Sequence, residues 1–274
     1  MAASARAKNI PPGSPLARRT AQMPDYFNSP ILVFAIALVA QIIAAYTGHF
    51  LRRRATSFKQ GERHDFSVVQ AATLTLLALI VGFSFSMAVS RYDQRKALEE
   101  TEANAIGTEY LRVDLLPEEA RSRTRELLRR YLDLRISHYK ENDADRIAEI
   151  GRLTANMQNE LWSAVLPSVA NQPTPVMALV VSGMNDVINA QGYTQAAWWN
   201  RIPVGAWAMM ALMAMSCNVL VGYSERRKGE SLLSVLPFII SVAFFLIADL
   251  DSPRGGVIRV QPQNLLAASQ SIKP

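Results

Sequence analysis

Thr75, Leu79 and Phe83 stand at i, i+4 and i+8, so they share one face of a helix. Thr73, Ser84 and Ser86 place hydroxyls on the neighbouring faces. None of these side chains is equipped to make or break a covalent bond. Arranged around an axis, they could wall a path for an ion, with apolar rings narrowing the bore. In a single helix the same pattern describes packing against lipid and other helices, with each hydroxyl bonded back to the preceding turn. One helix cannot enclose a channel, so the pore reading requires several subunits.

Beyond this face come Arg91 and Arg95, where the apolar run ends. A ring of such cations would concentrate anions at a pore exit. The same two residues could be interfacial anchors, with Arg95 paired to Glu99 at i,i+4. Tyr92, Glu102, Asn104 and Gly107 follow on the same segment as helix-packing or polar-network positions. No phosphate-binding loop, dinucleotide fingerprint, HExxH pair or recognisable nucleophile motif occurs, so no catalytic residue is assigned and an enzyme is not expected. His49, His64 and His138 are scattered, without metal-ligand spacing, and are expected at interfacial or surface positions. Cys217 is the only cysteine. No metal or other cofactor is expected, and Asp249 and Asp251 read as residues that end a span and hold the turn beside Pro253 and Gly255.

The elements that carry these residues are set by hydropathy. Tyr26–Leu51, Phe66–Ser90, Ile202–Ser224 and Ser231–Ala248 contain no Asp, Glu, Lys or Arg. About 20 apolar helical residues cross a bilayer core of about 30 Å, so each interval is long enough or just long enough to span. A fifth charge-free interval, Leu161–Asn185, is broken by Pro167, Pro173 and Pro175 and is not read as a span. The expected class is an all-α polytopic membrane protein with four transmembrane helices and a helical extramembrane domain between spans 2 and 3. Its parts are a disordered arm (1–29), a transmembrane hairpin (30–90), the helical domain (91–201), a second hairpin (202–248) and a C-terminal tail (249–274). Within the domain, Pro117 and two glutamates open one helix, and Asp143 caps the next, which carries Ile147, Ile150, Met157 and Leu161 on one side. Pro173–Asn189 is a third amphipathic candidate, and the tail reads as turn-rich at its start.

Residues 91–201 hold 16 acids and 14 bases, so the net charge of +6 comes from elsewhere. The positive excess lies in the arm, in "RRRATSFKQGER" and in "ERRKGE", all flanking spans. Lipid headgroups account for it, and nucleic acid is not an expected partner. An even number of spans puts both termini and the helical domain on one side. The two short basic loops lie on the other, which the positive-inside rule makes cytoplasmic, so the helical domain is expected outside. Arg18, Arg19, Arg91, Arg95, Lys96 and Arg201 oppose that assignment, and Met23 as the native start would remove the first two.

"GF" at 82–83, "RY" at 91–92 and Gln94 are similar to the second membrane helix of bestrophins. More closely, "GFSFSMAVSRYDQR", "EANAIGTEYLR", "DLLP" and "DLDSPRGGVIRV" resemble the bacterial bestrophin-like family over most of residues 30–266. The resemblance implies a bacterial inner-membrane homo-oligomer, in bestrophins a pentamer, that passes chloride or a similar anion between its second helices. The bestrophin neck is three residues one turn apart, and these positions fall on Thr75, Leu79 and Phe83. Phe83 matches, Leu79 lacks the ring, and Thr75 substitutes a hydroxyl. The family's calcium clasp needs an acidic cluster, for which Asp249 and Asp251 are only two carboxylates in a different order. That family places its helical domain in the cytoplasm, against the charge rule. Membrane lipids, further copies of the chain and an anion are thus the expected partners. The alternative is a membrane-anchored interaction or sensor module without conductance.

Overall fold

The computed structural model describes residues 29–54, 60–171, 173–224 and 230–272. Residues 1–28 of the disordered arm expected at 1–29, and much of both basic loops, lie outside the described residues. Among the described residues there is no strand, and four helices are long and apolar enough to cross a membrane. Helix α1 is Pro30–Arg54 and α2 is Gln60–Arg112, followed by a 3-10 turn, Val113–Leu115. Helices α3 (Glu118–Lys140), α4 (Ala144–Asn171) and α5 (Pro175–Trp199) follow, and then come α6 (Val204–Ser224), α7 (Glu230–Asp251) and α8 (Gln263–Ser271).

Local sequence explains the boundaries. Pro117 precedes α3, whose first turn carries Glu118 and Glu119 against the positive end of the helix. Asp143 accepts from the amides of Asp145 and Arg146 and so starts α4, as its side-chain type predicts. Thr174 caps α5 through the Met177 amide, with Pro175 in the first turn. The charge-free interval 161–185 is therefore split between two helices. Helix α5 runs ten residues beyond the expected Asn189, because Thr194, Ala197 and Trp198 are also buried.

Two cores form. In the membrane half, Leu77 and Ala88 of α2 pack with Trp207, Met210, Ala214 and Cys217 of α6 and with Ile240, Phe244 and Ile247 of α7. Helices α1 and α6 approach so closely that a Cβ at Gly48 would strike the Val219 carbonyl, and one at Gly222 the Ala45 carbonyl. Small residues permit such contact, and buried amides reinforce it. Gln41 of α1 donates to Ser241 of α7 (3.1 Å) and accepts from Asn218 of α6 (3.0 Å). The second core joins Ile106 of α2, Leu128, Tyr131 and Leu132 of α3, Leu161 and Val165 of α4, Val180 and Met184 of α5 and Leu265 of α8. Tyr92 packs against both cores.

The tail departs from expectation. It was expected only to be turn-rich, yet after the turn it forms α8 and buries Leu265 and Ile272 in the domain core. Its apolar residues are too few for a helical period to stand out in the sequence.

Candidate functional site

Helix α2 is continuous over 53 residues, about 80 Å at 1.5 Å per residue, far more than a bilayer needs. It has two contrasting faces. Thr75, Leu79 and Phe83 lie on a face left uncovered by the rest of the chain, with Leu79 51% and Phe83 65% exposed. The face continues past the bilayer edge through Ser86, Ser90, Ala97, Thr101, Asn104 and Thr108, all exposed. Thr75 and Thr73 donate their hydroxyl protons to the Ala71 and Val69 carbonyls, so those protons are spent within the helix. A Cβ on Gly82 or Gly107 would meet nothing within 4 Å. The helix-packing expectation for Gly107 and Asn104 therefore fails within one chain: Gly107 touches nothing closely and Asn104 is exposed. Two grooves of about 460 and 470 Å³ flank the ridge at Asn104 and Thr108, one walled by Asp186, Asn189 and Tyr193 of α5, the other by Asn264 and Ser271 of α8.

The opposite face of α2 is a buried polar stripe at Arg95, Glu99, Glu102 and Glu109, with Ile106 between. The steps of 4, 3, 4 and 3 residues are those of one helix face. Each member fixes a different element. Arg95 donates to the Leu250 and Asp251 carbonyls, capping the negative end of α7. Glu99 accepts from the Leu265 amide (2.9 Å) and from Asn264 Nδ2 (2.6 Å) at the positive end of α8. Glu102 pairs with Arg135 of α3 and accepts from Thr194 (3.2 Å) and Tyr139 (3.4 Å). Arg95 is accordingly not the exposed exit cation or interfacial anchor expected, and it does not pair with Glu99. Both side chains turn inward because two helix ends there need caps.

Glu109 differs from the other members. Both its carboxylate oxygens are buried without a hydrogen-bond donor, and Oε2 lies where Gly183 of α5 leaves room; a Cβ there would overlap it. Burial pushes its pKa up to about 8, opposed by Arg112 and assisted by Asp186. Arg112 and Asp186 lie 3.9 Å apart at the edge of the α5 groove.

At the bilayer edge, Arg91 is half-buried and donates to Asn200 Oδ1 (2.7 Å), the residue that ends α5. Asp249 accepts from the Val257 and Ile258 amides (2.6 and 2.8 Å), and Asp251 accepts from the Ile202 amide (3.0 Å) with Arg201 3.6 Å away. Gly256 lets the turn close over Asp249, since a Cβ there would lie 2.7 Å from the Asp249 carbonyl oxygen. Both aspartates thus end the span and hold the turn, as their sequence context predicts. Their oxygens are committed to these groups, and the pair does not fit a calcium shell. Among the described residues no cluster of three or more His, Cys, Asp or Glu side chains is placed to hold a metal ion.

His138 corrects another expectation. It is 3% exposed, inside the domain, because it packs between Tyr139 and Trp198 rather than facing water. Sequence reasoning also gave Glu99 the wrong partner and missed Glu109, Gln41 and Asn218. The 4-3-4-3 spacing of the α2 stripe could have revealed the two glutamates.

Four spans and a helical domain pinned to a single long helix define an all-α polytopic membrane protein in which α2 leaves its Thr75–Thr108 face uncovered by the rest of the chain. The chain belongs to the bestrophin-like family: the family model described as Bestrophin-like domain matches residues 33–265. It is similar in fold to a crystal structure of a bacterial bestrophin homologue from Klebsiella pneumoniae, at 15% identity and TM-score 0.59, covering 88% of this chain and 95% of the other. A point-mutant crystal structure of a Klebsiella pneumoniae bestrophin homologue gives 15% identity and TM-score 0.58 over 95% and 96% of the two chains. No curated protein matches the sequence.

Proposed function

We propose that several copies of this chain, five by analogy with bestrophins, assemble around the free face of α2 as a passive channel for chloride or a similar anion in the bacterial inner membrane. The observation that carries this reading is the unbroken exposed face from Thr75 to Thr108 on a helix otherwise pinned along its length. Lipid alone could cover Leu79 and Phe83, but lipid does not explain why the same face stays open where it turns polar at Thr101, Asn104 and Thr108. A central aqueous path accounts for both halves.

In that assembly Phe83 and Leu79 form an apolar constriction, where water and ions pass only if the ring stays wet. Thr75 contributes its methyl and oxygen, its proton being held by Ala71. Arg91, braced by Asn200, supplies the cationic ring at the exit that favours anions. No group on the path is suited to bond chemistry, so the role is conduction rather than catalysis. The test is anion efflux from liposomes containing purified protein, with symmetry-axis imaging of the particle. Phe83→Ala is expected to raise the flux severalfold by widening and wetting the constriction. Absence of flux from a folded oligomer, or a particle centre filled by side chains with Phe83 facing away, would overturn the proposal.

A further inference from the structure

Inside the helical domain, remote from the free face of α2, hydrogen-bond donors collect without acceptors. Arg135 is fully buried and uses only its Nε, toward Glu102; Nη1 and Nη2 have no partner. One turn along α3, His138 Nε2 lies 3.0 Å from Arg254 Nη2. A guanidinium can only donate, so Nε2 accepts and the proton of the neutral ring sits on Nδ1. Burial, Arg135 and Arg254 hold the His138 pKa down to about 3, so the ring is neutral at physiological pH. Nδ1–H is therefore a buried donor, and it has no acceptor. Trp198 of α5, its ring 5.5 Å from that of His138, has an indole N–H that is likewise buried and unpaired. Arg254 lies over the Trp198 ring at 4.1 Å and closes the cluster from the tail, donating to the His138 and Glu141 carbonyls (2.9 and 2.6 Å).

Four unpaired donor atoms come from three side chains: Arg135 and His138 lie one turn apart on α3, and Arg254 contacts both His138 and Trp198, whose rings also meet. Leaving a buried donor unmade costs about 1–3 kcal/mol, and more if charged, so a native core rarely holds several together. Water could satisfy the geometry. It would not answer the charge: inside the cluster Arg135 and Arg254 are two cations against the single carboxylate of Glu102, while the Glu141 carboxylate lies at the solvent rim, 3.9 Å from Arg146. A monovalent acceptor answers both.

We infer that the core of the helical domain binds one small monovalent anion of chloride size, held by Arg135, His138 Nδ1–H and Trp198 Nε1–H and enclosed by Arg254. The anion is a structural ligand that locks α3, α5 and the tail together, and the site does not depend on conduction. The experiment uses the full chain in detergent, with sodium gluconate exchanged for sodium bromide at constant ionic strength. Bromide should raise the melting temperature saturably by several degrees, and bromine anomalous scattering from crystals should give a peak in contact with Arg135, His138 and Trp198. Trp198→Phe keeps the ring beneath Arg254 and removes one donor; it should weaken the half-saturating bromide concentration about tenfold. If that variant does not fold, the anomalous map of the unmodified chain decides alone. A map with no bromine peak there, leaving ordered water as the acceptor, overturns the inference, as does an unchanged bromide response in folded Trp198→Phe.

Discussion

Glu109→Gln offers a quantitative test of how α2 seats against α5. In the fold the carboxyl holds its proton up to about pH 8, against an ordinary value of 4.5 in the unfolded chain. Between those two values the folded state binds a proton that the unfolded state releases, so stability must fall as pH rises through the window. Each unit of pKa difference corresponds to about 1.4 kcal/mol. The cost grows to about 3 kcal/mol at pH 7 and levels off at about 5 kcal/mol above pH 8, relative to pH below 4.5. The charged groups that face the carboxyl are Arg112 of its own helix and Asp186 of α5, and both are included in that balance. Glutamine has nearly the same shape and never ionises. Thermal unfolding of the detergent-purified protein should therefore show the unmodified chain losing about 2–3 kcal/mol between pH 6 and 8. The variant should lose less than about 1 kcal/mol over the same range and should melt higher at pH 8. Parallel pH curves for the two proteins would show that Glu109 is not buried as a proton-holding group.

Other outcomes follow from the same packing. Gly222→Ala drives a methyl into the Ala45 carbonyl at the α1–α6 crossing and should destabilise the membrane half by about 1–3 kcal/mol, read as a lower melting temperature. Arg95→Met removes the cap from the Leu250 and Asp251 carbonyls and should cost about 2 kcal/mol or more, whereas Arg91→Ala should change anion flux with a smaller loss of stability; equal melting temperatures for the unmodified chain and Arg95→Met would refute the capping role. Glu149→Cys puts a thiol on the exposed side of α4 in a chain whose one native thiol, Cys217, is buried. Labelling of intact spheroplasts by an impermeant maleimide is expected if the charge rule sets the orientation, and protection until lysis would place the helical domain in the cytoplasm.

The membrane map was legible because it rests on one-dimensional facts: runs without charge need no knowledge of what they touch. The ends of α3 and α4 were legible for a similar reason, since Pro117 and Asp143 act on their own next turn. Arg95, Glu99 and His138 were misread because a charged or titratable side chain is ordinarily solvated. Their buried partners come from distant segments: the end of α7 and the start of α8 for Arg95 and Glu99, and α5 with the tail for His138. Residue pairs such as Arg95 with Leu250, or Glu99 with Leu265, are separated by more than 150 positions, and no local period records them. Asn104 and Gly107 were drawn into a packing role by their proximity to Glu102, although a shift of one or two residues decides which face of a helix a residue occupies.

The uninterrupted length of α2 makes it a lever. Phe83 and Thr108 ride the same rigid rod about 37 Å apart, so a tilt of about 5° pivoting at one end displaces the other by about 3 Å. A molecule wedged beside Asp186 or Asn264 would thus be felt at the aromatic ring without any message relayed through loops.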